Sequence, residues 1–201
     1  APAPGSLESL HPHHEKYLTS SRVFLLLYEQ SSFDYLRDTI RAMERRINIR
    51  GIIADDNGHI FAVKHRDRNT NGESEYWAIP GGGLDIGESL DNGLVREFEE
   101  ELGIKPKIGR LLFMQQFIVT HRNGNQSEKM ELFFHVANTE DFQHDIDLSA
   151  TSHGHELFRV GFIDPANSDL LPDFLQKVDV RNHIDTNQPV LFVNNLQETS
   201  R

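Results

Sequence analysis

The chain has 201 residues, no cysteine, and 31 acidic against 20 basic residues, a formal charge of −11 with histidine neutral. The missing cysteine excludes disulfides, thiolate zinc sites and cysteine nucleophiles together, and the acidic balance argues against a broad surface for extended nucleic acid, which needs clustered Lys and Arg. One domain with extensions is expected at this length, and an apolar content of 37% can supply its core.

Residues 1 to about 20 read as a mobile arm, in which His11, His13 and His14 are better explained as a solvated tail than as a metal site. Val23 to Tyr28 is the longest apolar run near the N-terminus and reads as a short strand. It is too short to span a membrane or to form a signal core, so a cytoplasmic protein without membrane contact is expected. A helix should start from Ser31 or Ser32, with Phe33, Leu36, Ile40, Met43 and Ile47 at three- and four-residue spacing. This stripe is expected to pack a small added subdomain or a homodimer interface. Residues 1–46 therefore read as an N-terminal arm and strand-helix extension, and residues 47–201 as the main domain.

From Ile47 two β-rich runs flank Asp55-Asp56-Asn57-Gly58, a hairpin signal. A polar loop with Arg66 and Arg68 follows; both are expected to be exposed, with phosphate contact the alternative. Tyr76 to Ile79 should form a short strand with Trp77 in the core.

The next stretch, Pro80 to Ile104, joins a glycine-rich turn to a helix. Ser89 is a plausible N-cap and Leu90 to Leu102 contain no proline. Leu94, Val95, Phe98 and Leu102 make the core face. Glu97, Glu100 and Glu101 fall within roughly 100° of arc beside it. Like charges at this spacing cost a helix roughly 0.2–0.5 kcal/mol per pair. A solvated acidic face is the plain explanation, but it leaves Gly81, Gly82, Gly83 and Gly87 unexplained. Glycines let the backbone approach a ligand, and clustered carboxylates with backbone oxygens suit a hard divalent cation that also binds substrate phosphates. Gly93, inside the helix, costs roughly 1 kcal/mol against Ala, which close packing of the helix on the glycine loop would explain.

Arg110 to Thr120 and Met130 to Ala137 read as paired strands, and Asn138 to Gly154 as a polar segment rich in Asp and His. Leu157 to Ile163 is a further strand ended by Pro165. Ser168 to Val178 suggests a C-terminal helix with Leu170, Leu171, Phe174 and Leu175 inward. A mixed sheet flanked by helices fits this order.

Gly82, Glu88, Arg96, Glu97, Phe98, Glu100, Glu101, Gly103 and Ile104 occur at the spacing of the Nudix box, without a departure. The chain is thus similar to the Nudix hydrolases, and the resemblance implies an α/β/α sandwich with a mixed sheet. It implies metal-dependent hydrolysis of a nucleoside diphosphate linked to another moiety: a nucleotide sugar, a dinucleotide or a nucleoside triphosphate. It further implies that Glu97, Glu100 and Glu101, with the Gly81 carbonyl, hold Mg²⁺ or Mn²⁺. Arg96 should orient a box glutamate, and Glu88 should brace the junction of loop and helix. The general base differs within the family; Glu156 is the candidate outside the box, with Asp145, Asp147, His153 and His155 as alternatives. The isopentenyl diphosphate isomerases share the fold but need a cysteine, which this chain lacks. Downstream, Val119 to Arg122 hold neither the proline associated with ADP-ribose nor the tyrosine associated with diadenosine polyphosphates. A sensor that binds a nucleotide without turnover is the rival reading; intact box acids favour the enzyme.

Overall fold

A computed structural model describes residues 43–67, 70–121 and 123–199. Nearly all of them belong to one unit, Glu44–Arg201. The expected arm, the Val23–Tyr28 strand, the start of the N-terminal helix, Arg68 and Arg122 lie outside the described residues. No described helix is long and apolar enough to cross a membrane.

The first described element corrects the sequence reading. Met43 and Ile47, expected on a helical stripe, belong to strand β1, Met43–Ile52. Here the period of two prevails: Ile49 and Ile53 enter one core while Ile52 and Ala54 enter another, and β-branched residues suit that arrangement. Residues 43–46 thus go with the sheet. The expected turn then forms. Asp55 Oδ1 accepts from the amides of Asn57 (2.9 Å) and His59 (2.8 Å), and Gly58 takes a φ of 82°. Strand β2, Ile60–His65, follows, but beyond the Ala54–Ile60 bridge it leaves β1 for a different sheet.

Short strands β3 (Trp77–Ala78) and β4 (Gly81–Gly83) precede helix α1, Leu90–Leu102. Strands β5 (Ile108–Thr120) and β6 (Gln126–Val136) form the long antiparallel pair. After a run of 3-10 turns come β7 (Leu157–Ile163), β8 (Leu170–Leu171), helix α2 (Val180–Asp185) and β9 (Leu191–Thr199). One sheet has the order β4-β1-β6-β5-β9 and the other β7-β2-β3-β8. The five-stranded sheet contains the parallel pair β5 with β9, and the four-stranded sheet the parallel pair β3 with β8.

Alternate strand residues feed two cores. Ile49, Phe61, Val63, Leu132 and Phe134 pack with Leu94, Phe98 and Leu102 of α1. Ile52, Ile60, Ala62 and Phe133 pack with Leu170, Phe174, Leu175 and Val180. This is the expected α/β/α layering.

The C-terminal helix is not where it was expected. Pro172 supplies no amide hydrogen and disfavours the α conformation of Leu171. Residues 168–178 therefore contain β8 and a 3-10 turn at Asp173–Gln176, and the helix forms later, capped by Asp179. Leu170, Phe174 and Leu175 point inward as expected, but Leu171 is exposed. Strand β9 was not anticipated: its apolar run, Val190 to Val193, is short and gives way to two asparagines.

Candidate active site

Helix α1 begins as its sequence suggests, with Ser89 Oγ accepting from the Asn92 amide at 3.3 Å. It ends at Gly103, which has a φ of 69° and donates to the Glu99 carbonyl. Leu94, Phe98 and Leu102 are buried, Val95 is half-buried and Glu99 is exposed. The glycine strand β4 lies beside the helix, held on its other side by β1 with Gly81 opposite Arg50 and Gly83 opposite Asn48.

Arg96 ties the site together. Its Nε donates to Glu88 Oε1 (2.9 Å) and Nη2 to Glu88 Oε2 (3.0 Å), a two-point grip. Nη2 also reaches the Gly83 carbonyl at 3.0 Å, while Nη1 donates to Glu97 Oε1 (2.8 Å) and Glu100 Oε2 (3.2 Å). These contacts raise the Arg96 pKa, Glu88 above all, and the same grip holds the Glu88 carboxyl below the ordinary range. Glu88 also accepts from the Asp85 amide at 3.1 Å, which braces the loop entering the helix.

The three box glutamates face different neighbours. Glu97 lies against Gly82, where any Cβ would overlap its carboxylate. Glu101 is 6% exposed and accepts from the Gly81 amide at 3.4 Å. Burial pushes its carboxyl up to about 7; Glu97 and Glu156 push the same way, and Arg50 and the Gly81 amide pull it back. Glu100 turns to His153, whose Nδ1 is 3.2 Å from Glu100 Oε2. A shallow depression of about 510 Å³ lies beside Glu100 and Arg96. The buried Glu101 instead turns inward toward Gly81, so chemistry is better sought on that side than in the depression.

Gly93 fits close packing of the helix on its surroundings. A Cβ there would come within 2.6 Å of Ile49 Cδ1, 2.8 Å of Leu84 Cδ1 and 3.0 Å of Glu88 Oε2. The polar segment after β6 docks on the end of α1. The His153 amide donates to the Glu100 carbonyl (2.8 Å) and Thr151 Oγ1 to that of Glu101 (3.1 Å), which satisfies carbonyls the helix leaves open.

The remaining candidates divide. Glu156 is exposed; its carboxylate makes no hydrogen bond among the described residues, and its charge acts on Glu101 and on His65. Asp147 is taken up in a turn, accepting from Ser149 N (3.0 Å) and Oγ (2.6 Å). His155 Nδ1 pairs with the Ser152 carbonyl. Arg66 is exposed as expected and braces the loop through the His155 carbonyl at 3.2 Å. Trp77 is only half-buried, its ring flanked by Arg159 (4.9 Å) and Lys64 (5.6 Å).

Arg50, Asn48 and Glu131 were missed by sequence reading. Arg50 Nη2 and Asn48 Nδ2 both donate to Glu131 Oε1, at 3.2 and 3.1 Å. Arg50 Nη1 also donates to the carbonyls of Ile79 and Gly81, so the Gly81 carbonyl already has one donor. The only available signal was the alternation of Arg46, Asn48 and Arg50 with isoleucines.

Among the described residues, no three acidic or imidazole groups converge on one point. The donor set is nonetheless all oxygen, Gly82 leaves room for a carboxylate against the backbone, and the buried Glu101 stands near the like charge of Glu97. These features fit a hard divalent cation.

Residues 44–177 match the sequence model of the NUDIX domain. A MutT-like protein of Streptomyces ambofaciens is 29% identical over 65 residues, 32% of this chain and 38% of that protein. An ADP-ribose pyrophosphatase of Methanocaldococcus jannaschii is 36% identical over 66 residues, 33% of this chain and 37% of that protein. The matched stretch thus spans less than two fifths of either relative. The solution structure of the E. coli ORF135 protein aligns with 73% of this chain and 96% of its own, at 22% identity and a TM-score of 0.51, a likeness of fold.

Proposed function

The chain belongs to the NUDIX domain family, and from that premise we propose that it hydrolyses a phosphoanhydride bond in a nucleoside diphosphate linked to a second moiety. The observation that carries this reading is the seating of Glu97 and Glu101 against the glycine strand, with Arg96 gripping Glu88, Glu97 and Glu100. Such an anhydride resists hydrolysis because its oxygens repel a nucleophile and its leaving group carries charge.

Glu97, Glu100 and Glu101, with the Gly81 carbonyl, are the proposed ligands of Mg²⁺ or Mn²⁺, which would neutralise phosphate charge and acidify a bound water. Arg96 is a positioning residue that sets the directions of Glu97 and Glu100 through a rigid fork. Glu88 anchors that fork, and so fixes the glycine turn against α1. Glu156 is the proposed proton acceptor, since its carboxylate makes no hydrogen bond among the described residues and is close enough to be felt at Glu101. The partner is a small nucleotide rather than a long nucleic acid. Because the Methanocaldococcus relative is named for ADP-ribose, that compound heads the substrates to try.

The test is a panel of ADP-ribose, nucleotide sugars, dinucleotides and nucleoside triphosphates with Mg²⁺ or Mn²⁺, scored for phosphate, pyrophosphate or nucleoside monophosphate. Glu100→Gln and Glu101→Gln should each reduce turnover by more than about a hundredfold, beyond the usual effect of an outer-shell group. Equal turnover by wild type and both variants would overturn the site.

A further inference from the structure

The segment between β6 and β7 contains only 3-10 turns, and its charge should push it off the surface it covers. Residues 138–156 carry Glu140, Asp141, Asp145, Asp147 and Glu156 and no Lys or Arg. Helix α1, on which the segment docks, carries Glu97, Glu99, Glu100 and Glu101. Like charges repel, so something other than charge holds the two together.

The holding contacts are few. A helix leaves its last carbonyls open, and in α1 two of these belong to Glu100 and Glu101. The His153 amide donates to the first at 2.8 Å, and Thr151 Oγ1 to the second at 3.1 Å. Thr151 Oγ1 also lies 3.2 Å from the Leu148 carbonyl, so one hydroxyl proton is shared between the helix and the segment's own turn. Thr151 Cγ2 sits against the helix stop, where a Cβ on Gly103 would come within 3.0 Å of it. Gly154 closes the turn, because any Cβ on it would overlap the Leu148 carbonyl and Thr151 Oγ1.

The same segment delivers Glu156. The Glu156 amide donates to the His153 carbonyl at 2.9 Å, and its carbonyl accepts from the Arg66 amide at 2.7 Å. Leu157, next along the chain, is buried in the core that packs on α1. The β2–β7 register shifts between Lys64 and His65, opposite Leu157, and such a bulge re-aims the chain. Both backbone polar groups of Glu156 are thus fixed, while its carboxylate makes no hydrogen bond among the described residues. A pinned backbone beneath an open carboxylate is how a fold sets a reacting group.

On the pyrophosphohydrolase reading above, we propose that Thr151 is a positioning residue. Its hydroxyl latches the segment carrying Glu156 to the turn of α1 carrying Glu100 and Glu101, and so sets the proton acceptor relative to the metal ligands. Because repulsion opposes the latch, neutralising the acids with a divalent cation tightens it. By reciprocity, a broken latch weakens cation binding.

The test compares two variants of the full chain: Thr151→Val, which keeps the shape and loses the donor, and Thr151→Ser, which keeps the donor. Binding of Mn²⁺ without substrate, read by electron paramagnetic resonance, should weaken about fivefold in Thr151→Val, the worth of one hydrogen bond. Thr151→Ser should regain it. At saturating Mn²⁺, kcat on the panel above should fall about tenfold in Thr151→Val, with KM within about twofold. Glu156→Gln should mask that fall, since no acceptor is then left to misplace. Mn²⁺ affinity that is unchanged in Thr151→Val, or lost equally in Thr151→Ser, overturns the latch. So does a fall in kcat that persists on the Glu156→Gln background, or a wild type that binds no Mn²⁺. Turnover separates the two readings. A wild type that hydrolyses the panel while Thr151→Val binds Mn²⁺ normally refutes the latch alone. A wild type that hydrolyses nothing, yet loses Mn²⁺ affinity in Thr151→Val and regains it in Thr151→Ser, refutes the chemistry alone.

Discussion

Helix α1 with its glycine strand and the sheet face of β1, β5 and β6 are both rich in charge, and they treat it in opposite ways. On the helix, one guanidinium serves Glu88, Glu97, Glu100 and a backbone carbonyl. On the sheet face, Asn48 and Arg50 share Glu131, while among the described residues the buried Gln115 Oε1 accepts no hydrogen bond and neither Arg46 nor Lys129 has a carboxylate within ion-pair distance. The helix region is therefore a preorganised device whose geometry is set before a ligand arrives. The sheet face, by contrast, leaves a buried carboxamide oxygen open among the described residues.

The contrast can be tested most severely at Arg96. Arg96→Lys keeps the charge but cannot reproduce the fork. Turnover should fall by more than about a hundredfold, and chemical denaturation should show a loss of about 2–3 kcal/mol from charged hydrogen bonds left unmade. A fully active, equally stable lysine variant would show that the knot of contacts around Arg96 is incidental.

Next in size is Gly93→Ala. The new methyl would press on Ile49 and Leu84, and overpacking costs typically about 1–3 kcal/mol, more than the roughly 1 kcal/mol gained in helix propensity. Thermal melting should thus show a net loss, together with reduced metal-dependent turnover. A rise in melting temperature at full activity would contradict close packing there.

Glu101 gives an effect of similar size that depends on pH. Its carboxyl is raised from 4.5 to about 7 by burial, so the folded chain holds that proton more tightly than the unfolded chain does. The stability this adds is complete below about pH 4.5 and is lost as pH rises through about 7. Metal-free wild type should lose ~3 kcal/mol more than Glu101→Gln between pH 4.5 and pH 8. Saturating Mg²⁺ should narrow that difference, because a cation favours the charged carboxylate. Parallel pH profiles would mean that Glu101 is not strained by its surroundings.

The smallest effect on stability belongs to the sheet face. Lys129→Ala should change stability by no more than about 0.5 kcal/mol, as for a residue with no ion pair among the described residues, or raise it slightly. A large loss of stability would reveal a structural contact and blur the distinction between the two regions.

The helix region was legible because its information is local. Ser89, the uninterrupted run to Leu102 and Gly103 mark both ends of α1, and the spacing of its carboxylates needs only the helical period. Strands β5, β6 and β7 could be read from their apolar runs. The sheet face could not, since Arg50, Gln115 and Glu131 meet only through strand pairing, and no period in one strand reveals its register with another. Met43 and Ile47 misled because their spacing satisfies a helix as well as a strand. The C-terminal helix was misplaced because Leu170 and Phe174 have helical spacing across a proline that forbids the helix.

Strand β9 pairs in parallel with β5, setting Val193 beside Gln115 and Asn195 beside Phe117. During synthesis β5 and β6 leave the ribosome long before Leu191, so the strand that carries Gln115 spends that interval with a bare edge, a ready template for another chain. A message truncated before Leu191 would yield a protein that keeps every acid of α1 but is prone to self-association along β5.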